Sequence, residues 1–342
     1  MDRKSANYLA ILKTLKDDPQ PQSAVKIAAA LSQAGYDLSE RSVRLYLNDM
    51  EGRGLIATQG KRGGVITEAG IEELRASQLW QRVGFLSAKI DQMTYAMDFD
   101  LATRSGRVVV NSSLVRAQDL LSCIDDVCEV FGKGFAMGTR VCLLAPGETI
   151  GESTIPAGQV GFCTVCSITL NGVLLKHGIP TRSRFGGLLQ VRDFKPERFV
   201  EIIDYEGTSI DPLEIFIRSG MTDYLGAIRR GCGRIGASFR EVPAGSREMV
   251  ASLAERLTEI GLGAFMEIGQ GGRPVLDIPV SEGRAGAIVV GGLNPISVIH
   301  ERGFSSQSRA LSGLLEFARL FSFEDLPQRL KAMAAHGGSV TI

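Results

Sequence analysis

Two long stretches of this chain repeat each other, over residues 107–193 and 236–322. Each copy has the same order of predicted elements: a strand, a helix, two or three strands, a second helix and a last strand. The likeness is clearest in three pairs of segments: Ser153–Gly161 with Leu276–Gly286, Leu170–Ile179 with Leu293–Gly303, and Gly187–Val191 with Gly313–Phe317. Two copies predict one pseudo-twofold α+β domain, because a solenoid needs at least about three repeats.

This pairing also assigns equivalent positions to single residues of the two copies. It aligns Asn171 with Asn294 and His177 with His300, and each histidine lies near the end of its predicted helix. A positive charge is favourable at the C-terminus of a helix. We therefore interpret both histidines as structural residues.

Further predictions concern the chain between and after the copies. The run Asp211–Ile217 has a β-like composition and predicts a strand. Gly231, Gly233 and Gly236 have the spacing GxGxxG, but a helical pattern precedes them and a strand follows. That order is the reverse of a dinucleotide-binding turn, so we interpret them as a tight turn. Residues 326–342 are predicted to be a C-terminal tail.

Residues 1–80 predict a separate domain ahead of the duplicated one, which is assigned to residues 81–325. Three short helical patterns come first, and Ser39 is placed to cap the third helix. Two β-like runs, Leu55–Thr58 and Val65–Thr67, then flank a basic, glycine-rich turn. This order is typical of a winged helix-turn-helix domain. The fold class predicted for the chain is therefore α+β, with an N-terminal winged helix-turn-helix.

The third helix and the basic turn are suited to double-stranded DNA. In such domains the third helix enters the major groove and the wing contacts phosphates. We predict DNA contacts for these side chains: Arg41, Ser42, Arg44, Tyr46 and Asn48 on the helix, and Lys61 and Arg62 on the wing. The alternative is a solvated helix face on a winged helix that binds proteins.

Composition restricts the kinds of protein that the chain can be. The formal net charge is zero, so a basic surface for DNA must be local. No apolar run approaches the roughly 20 residues of a membrane-spanning helix, and no signal peptide is recognisable. We therefore expect a cytoplasmic protein with no membrane partner. Its six cysteines lie mostly in apolar runs, and we expect neither a metal nor a cofactor.

A polar cluster in the first copy predicts a site for a small dicarboxylate effector. It consists of Ser167, Thr169 and Asn171 at the start of a helix, followed by Arg182, Arg184, Gly186 and Gly187. Helix N-termini favour anions, arginine forks match carboxylates, and glycine lets backbone amides approach a ligand. The second copy has Ser305–Arg309 in this place and no double glycine. The alternative is that both arginines form salt bridges across the dimer or domain seam.

The sequence contains no nucleophile, acid–base pair or metal site at a recognisable spacing. We therefore predict no catalytic residue and no enzyme activity. Two other functions stay open as alternatives. One is an enzyme that acts on a small carboxylate and is tethered to nucleic acid by the winged helix. The other is an adaptor that binds only proteins.

Several runs of the sequence resemble known families. The run Ala30–Ile56 and the wing Gly60–Gly64 resemble the winged-helix domain of ribonuclease R and of several repressors. The chain after residue 83 is similar to the NrpR regulatory domain in the following runs: Gly84–Ile90, Val109–Val115, Thr164–Pro180, Ser183–Gly187, Asp211–Ile217 and Ala237–Pro243. Together the two resemblances extend over most of the chain.

Resemblance to the NrpR family implies a dimeric transcriptional repressor of nitrogen-fixation and ammonium-assimilation genes. In that family 2-oxoglutarate is the effector that releases the repressor from operator DNA. The resemblance also places Cys166, within the Thr-Val-Cys-Ser run, in the effector-sensing region. The expected partners are therefore double-stranded operator DNA, a second copy of the chain and a small dicarboxylate.

Overall fold

Contacts within the chain define two units, Met1–Val83 and Gly84–Ile342. The structure, a computed structural model, describes residues 3–18, 20–36, 38–58, 60, 63–81 and 85–337. The predicted wing residues Lys61 and Arg62 lie outside the described residues.

The first unit has the element order of a winged helix-turn-helix domain. Its elements are α1 Arg3–Asp17, α2 Ala24–Gln33, α3 Glu40–Gly52, β1 Ile56–Thr58, β2 Gly64–Ile66 and α4 Glu68–Gln81. The Ser39 hydroxyl accepts a hydrogen bond from the Ser42 amide, as predicted for a helix cap. β1 and β2 pair antiparallel, with Ile56 opposite Ile66. The predicted winged helix-turn-helix is confirmed.

The second unit is built from two five-stranded antiparallel sheets and the helices packed on them. Its helices are α5 Phe85–Ala96, α6 Ala117–Ser122, α7 Ile124–Gly132, α8 Ile168–Lys176, α9 Pro212–Arg218, α10 Tyr224–Arg230, α11 Arg247–Glu259, α12 Asn294–Glu301 and α13 Leu326–Gly337. Its strands are β3 Arg107–Val115, β4 Arg140–Leu144, β5 Thr149–Ile150, β6 Ser153–Thr154, β7 Val160–Val165, β8 Arg182–Arg192, β9 Lys195–Asp204, β10 Gly233–Pro243, β11 Phe265–Gly271, β12 Arg284–Val290, β13 Gln307–Glu316 and β14 Phe321–Ser322.

The two halves of the duplication exchange their last strands. One sheet has the order β13-β3-β7-β4-β14, and the other has the order β11-β12-β10-β8-β9. β8, the last strand of the first half, therefore pairs with β10 of the second half, and β13 pairs with β3 of the first. Neither half completes its sheet without a strand from the other.

Hydrogen bonds at the starts of α8 and α12 show which residues of the halves are equivalent. The first backbone N–H after β7 donates to Val109 O, and the first backbone N–H after β12 donates to Gly236 O. The Thr169 hydroxyl also donates to Val109 O, at 3.0 Å, and the Asn294 amide donates to Gly236 O, at 2.8 Å. Asn294 is thus the equivalent of Thr169, and its predicted alignment with Asn171 is wrong.

The same error affects the two histidines. His177 is the C-cap of α8, whereas the C-cap of α12 is Arg302 and not His300. The sequence pairing set Gly172, in the middle of α8, against Pro295, which lies in the first turn of α12. Proline is tolerated only in the first turn of a helix, so the two helices cannot be aligned in that way. His177 and His300 are not equivalent.

The segment predicted as a strand at Asp211–Ile217 is instead the helix α9. The Asp211 carboxylate accepts a hydrogen bond from the Leu213 amide at 2.9 Å, and Pro212 is the first helical residue. An aspartate cap followed by proline is a helix start signal, and it outweighs the β-like composition of the residues that follow.

The C-terminal segment belongs to the fold in its first part. Leu326 and Leu330 of α13 are fully buried, and β14 pairs with β4 of the first half. The prediction that residues 326–342 form a separate tail is therefore wrong for α13. The apolar face of this helix packs on the second unit.

We expect Gly292→Ala to destabilise the second unit by about 1–3 kcal/mol, because an added methyl group overpacks the place where the halves meet. A Cβ there would lie 2.3 Å from Val165 O and 2.5 Å from the Asn111 side-chain nitrogen. The matched control is Gly132→Ala at the end of α7, where a Cβ meets nothing within 4 Å. Urea unfolding measures both variants, and equal midpoints would contradict the expectation.

Candidate functional site

Four side chains form an exposed stripe on α3. Arg41, Arg44, Leu45 and Asn48 are spaced three or four residues apart, and all four are exposed. The other side of the helix is buried, with Met50 completely covered. The stripe combines two forked cations, an amide and an apolar side chain, which together match the groups on base edges in a major groove.

Arg44 forms an ion pair with Glu40 one turn earlier in α3. Both side chains are well exposed, at 69% and 42% of their areas. Exposed pairs of this spacing contribute only about 0.3–0.5 kcal/mol. The pair therefore leaves Arg44 available for a base edge or a phosphate.

Leu45 belongs to this stripe and was not predicted from the sequence. Its side chain is 65% exposed, and its neighbours in the sequence are polar. Apolar side chains on recognition helices contact the methyl group of thymine. The signal for Leu45 was its position four residues after Arg41, on the outer face.

Tyr46 is turned inward and does not lie on the exposed stripe. Its hydroxyl accepts a hydrogen bond from the Asn7 side chain at 3.0 Å, and its ring packs edge-on against Tyr8. Tyr46 lies between Val43 and Met50 at helical spacing, so the period of α3 places it beside the buried face. The prediction that it points outward is wrong.

The other predicted contacts at the DNA surface have different positions. The half-buried Ser42 lies in the first turn of α3, with its hydroxyl 2.9 Å from that of Ser39. That position is near the helix N-terminus, where phosphate groups bind. Lys61 and Arg62 stay predictions, because they lie outside the described residues.

A buried arginine, missed in the sequence analysis, binds the start of α8. Arg240 of β10 is 1% exposed. Its guanidinium donates to Ser167 O at 2.8 Å and to the Ser167 hydroxyl at 2.7 Å. It also donates to the side-chain oxygen of Asn171. Two of the predicted effector residues, Ser167 and Asn171, are therefore held by one buried cation.

The charge of Arg240 is not paired with a carboxylate among the residues that the structure describes. Its Nε is buried and has no hydrogen-bond partner in that part of the chain. Burial lowers the pKa of Arg240, while Tyr205, Cys166 and Asp211 oppose this shift. An arginine nevertheless stays protonated in a protein. A buried cation of this kind attracts an anion.

Burial disfavours the charged forms of the ionisable groups near Arg240. Burial, and then the charge of Glu214, raise the pKa of Asp211 to about 7. Burial raises the pKa of Cys166 to about 11 and also raises the pKa of Tyr205. The thiol of Cys166 is thus protonated at neutral pH and lies beside the site as a small apolar group.

A surface pocket of about 280 Å³ adjoins this cluster. Its lining residues include Ser87 and Asp91 of α5, Arg182 and Ser183 of β8, Glu206, and Arg284 of β12. The Asn171 side-chain amide donates to the Ser183 hydroxyl at 3.1 Å. Asn171 therefore connects the pocket wall to the buried Arg240.

A β-bulge directs Arg182 and Arg184 to different places. Ser183 lies opposite Arg240 and Phe185 lies opposite Phe239, so the register shifts at Arg184. Arg182 faces the pocket and contacts Glu206 only loosely, at 3.6 Å. The predicted pair of arginines does not act on a single ligand.

Arg184 instead forms a salt bridge within the fold. Its guanidinium donates to Glu241 Oε1 at 3.0 Å and to Pro279 O at 2.6 Å. Burial opposes ionisation of Glu241, but hydrogen bonds from Ser281, with the charge of Arg184, lower its pKa overall. Arg184 is therefore engaged in a salt bridge inside the second unit, which the sequence analysis did not predict.

Gly186 and Gly187 serve packing in β8, which lies between β10 and β9. A Cβ at Gly186 would lie 2.9 Å from the Pro212 ring, and one at Gly187 would lie 2.6 Å from Glu201 O. The space over both glycines is thus filled by protein. The predicted role of these residues in the approach of an anion is not supported.

Thr169 also has a structural role. Its hydroxyl accepts from the Val109 amide at 3.1 Å and donates to Val109 O, so it is saturated within the fold. Of the predicted effector residues, the structure brings together Cys166, Ser167 and Asn171 around Arg240, with Arg182 in the adjoining pocket. The sequence signal for Arg240 was a basic residue directly after the apolar Phe239, in the run Ala237–Pro243.

The described residues offer neither a metal site nor a membrane-spanning helix. No group of three or more histidine, cysteine or acidic side chains there is placed to hold a metal ion. None of the helices in the described part is long and apolar enough to cross a membrane.

Comparison with protein families matches both units of the chain. A family model of the ribonuclease R winged-helix domain matches residues 9–74. A model of the NrpR regulatory domains NRD1 and 2 matches residues 83–322, which is more than half of the chain. The chain belongs to the NrpR family. The predicted family is thereby confirmed.

Three curated proteins are relatives of this NrpR-family chain. The global nitrogen regulator NrpRI of Methanosarcina mazei is 33% identical over 90% of this chain and 95% of its own length. The global nitrogen regulators NrpR of Methanococcus maripaludis and Methanocaldococcus jannaschii are 30% and 31% identical, over 91% and 98% of this chain. The chain spans only 54% and 58% of the lengths of these two relatives.

A solved structure supports the same fold. The crystal structure of a nitrogen repressor-like protein from Methanococcus jannaschii superposes with a TM-score of 0.58 at 25% identity. It matches 69% of this chain and 97% of the solved chain. The predicted α+β class is confirmed.

We expect Asp211→Asn to flatten the pH dependence of stability of this NrpR-family chain. The folded pKa of Asp211, about 7, lies above its ordinary value of 3.8, so the folded state holds a proton that the unfolded state releases. The stability contributed by Asp211 is therefore present below about pH 4 and lost as the pH rises through about 7. Between these pH values the asparagine variant should gain about 1–3 kcal/mol relative to the parent.

Urea unfolding at a series of pH values measures this difference. The control is Asp223→Asn. Asp223 caps α10 in the same way, and its carboxylate accepts a hydrogen bond from the Gly226 amide at 2.8 Å. Parallel pH profiles for the Asp211 variant and the parent would contradict the assignment.

Proposed function

We propose that the chain is a transcriptional repressor that binds operator DNA as a homodimer and is released by a small dicarboxylate such as 2-oxoglutarate. The names of its relatives, global nitrogen regulators, support genes of nitrogen assimilation or nitrogen fixation as its targets. The observation that carries the sensing function is the buried Arg240 at the start of α8, because its charge has no carboxylate in contact among the described residues.

In this proposal α3 lies in the major groove. Arg41 and Arg44 offer forked donors for guanine, Asn48 offers an amide for adenine, and Leu45 offers apolar surface for a thymine methyl group. A homodimer presents two such helices roughly 34 Å apart. The matching operator therefore has two inverted half-sites.

We expect Arg44→Ala to weaken operator binding by about 1–3 kcal/mol, because it removes a bidentate contact to a base. Footprint titration measures the change on an operator and on unrelated DNA. Lys13→Ala, an exposed cation on α1, is the control and should change affinity by less than about 0.5 kcal/mol. An Arg44 variant that binds as tightly as the control would contradict the assignment of α3.

The effector is proposed to bind in the pocket beside α5. One carboxylate pairs with Arg182, replacing its loose contact to Glu206, and the other pairs with the half-buried Arg284. A ligand that contacts Ser183 there also acts on Asn171, and through it on Arg240. The chain of hydrogen bonds supports a connection from the pocket to the start of α8.

α5 is the element of the second unit that we propose to respond to the effector. Ser87 and Asp91 of α5 line the pocket, and α5 is the first described helix after the winged-helix domain in the sequence. An effector shifts the chain between two forms only if it binds them unequally. A carboxylate that contacts α5 in one form of the chain and not in the other supplies this difference in binding.

A gel shift tests the proposed function directly. The purified chain is mixed with its own upstream DNA and then with a pool of genomic fragments, with and without millimolar 2-oxoglutarate. Release by 2-oxoglutarate supports the repressor and the effector together. Binding that ignores 2-oxoglutarate contradicts the effector, and no binding to any fragment contradicts the repressor. Turnover of the dicarboxylate would favour the enzyme alternative.

We expect Arg182→Gln to raise the 2-oxoglutarate concentration for half-release by about tenfold or more, since a charge-assisted hydrogen bond contributes about 1.5–3 kcal/mol. DNA affinity without effector should stay unchanged, because in the absence of a ligand Arg182 loses only its loose contact with Glu206. Arg192→Gln, at the other end of β8 and paired with Glu197, is the matched control. Equal half-release concentrations for both variants would contradict the pocket assignment.

A further inference from the structure

The pseudo-twofold symmetry of the second unit leaves two equivalent strands in different surroundings. β4 and β11 each lie beside the middle strand of their half, β7 or β12. On its outer side β4 is covered by β14, whereas among the described residues β11 has only β12 as a strand neighbour. The first half thus shows how such an edge is covered.

The cover of the first half is a short strand that continues into a helix. Phe321 of β14 lies opposite Val141 of β4. The next aromatic residue, Phe323, stacks on Phe131 of α7 with ring centres 5.0 Å apart and planes 10° apart. The Cys128 thiol lies 3.8 Å from Phe323 O. The seat for Phe323 is therefore formed by two residues on one face of α7.

The corresponding residues of the second half follow from the ends of the helices. α7 ends at Gly132 and α11 ends at Glu259. Each helix is followed by its cap residue and then by a glycine with a positive φ, Gly134 or Gly261. Counting back from these glycines, Thr258 corresponds to Phe131 and Glu255 corresponds to Cys128. Thr258 and Glu255 both line an open groove of about 590 Å³ between α11 and β11.

The groove has an apolar floor and an acidic rim. Its floor includes Ala251 and Ala254 of α11 and Phe265 and Ile268 of β11. The acids that line it are Glu255, Glu259 and Glu267, and no basic residue is among its lining residues in the described chain. No second strand of the described chain pairs with β11, so its backbone groups are open to an added strand, except Gly269 O, which accepts a hydrogen bond from Arg247 at 2.9 Å.

We infer that this groove binds a basic segment of a partner protein, which adds to β11 as a strand and places an aromatic side chain against α11. The pairing of β14 with β4 supplies the geometry, and the three glutamates select Lys and Arg in the ligand. A second copy of this chain is disfavoured as the occupant, because an edge-to-edge pair of β11 strands brings two acidic rims together.

A peptide copied from the natural cover is the probe. It is residues 319–333 of this chain with Glu324→Lys and Asp325→Lys, which makes it basic. The peptide carries a fluorophore, and its anisotropy is followed during titration with the complete protein. We expect saturable binding that weakens with salt, and loss of binding when the peptide also carries Phe323→Ala.

Protein variants locate the binding. Ala254→Arg fills the groove and Glu255→Lys reverses one charge of its rim, and each should weaken binding by about tenfold or more. Glu248→Lys makes the same charge change near the start of the same helix, outside the groove, and should leave affinity within about twofold. Because Glu255 is exposed, Glu255→Lys should not disturb folding. This variant therefore tests the groove even if Ala254→Arg disturbs folding.

Three outcomes would overturn the inference. One is the absence of saturable binding up to the highest soluble peptide concentration. Another is equal affinity for the parent, the Glu255 variant and the Glu248 control. The third is self-association of the parent protein, seen by sedimentation, that Glu255→Lys strengthens or Ala254→Arg abolishes. That result would make a second copy of the chain the occupant.

Discussion

The second unit depends on the pairing of each half's last strand with the other half. β8 pairs with β10 and β13 pairs with β3, so the backbone hydrogen bonds of both sheets are complete only when both halves are present. The same exchange brings the starts of α8 and α12 together. Their separation is fixed by close contact, because a side chain at Gly292 would overlap the carbonyl oxygen of Val165. Any movement of one half is therefore resisted by the other.

The proposed sensor is built at this exchange, with groups from both halves. Arg240 comes from the first strand of the second half, Asn171 from the helix of the first half, and Ser183 from the exchanged strand. A ligand that moves Ser183 acts directly on the contact that joins the halves. Packed interfaces of this kind tend to switch between discrete arrangements instead of deforming gradually. A small local change at the pocket can thus alter the unit as a whole.

Much of the fold was predictable from the sequence, because it depends on local signals. The helix cap at Ser39 and the order of elements in the repeat are of this kind. The strand exchange was not predictable, since a repeat identifies equivalent strands but not their partners. Arg240 was missed because a charged residue in a strand is usually assigned to the exposed face. Gly186 and Gly187 were misinterpreted, since a glycine makes room for a neighbouring side chain as readily as for a ligand.

The two halves differ at the place of the proposed effector site. Arg240 lies opposite Ser183, whereas its counterpart Ser113 lies opposite Ser308 and shares a hydroxyl hydrogen bond of 2.9 Å. The buried cation is therefore present at one of the two equivalent places. The start of α12 is also polar, because the side-chain oxygen of Asn294 is buried there without a hydrogen-bond partner among the described residues. The two helix starts therefore differ in the buried cation and not in polarity as such. Because the halves share strands, a ligand bound to one half still acts on both.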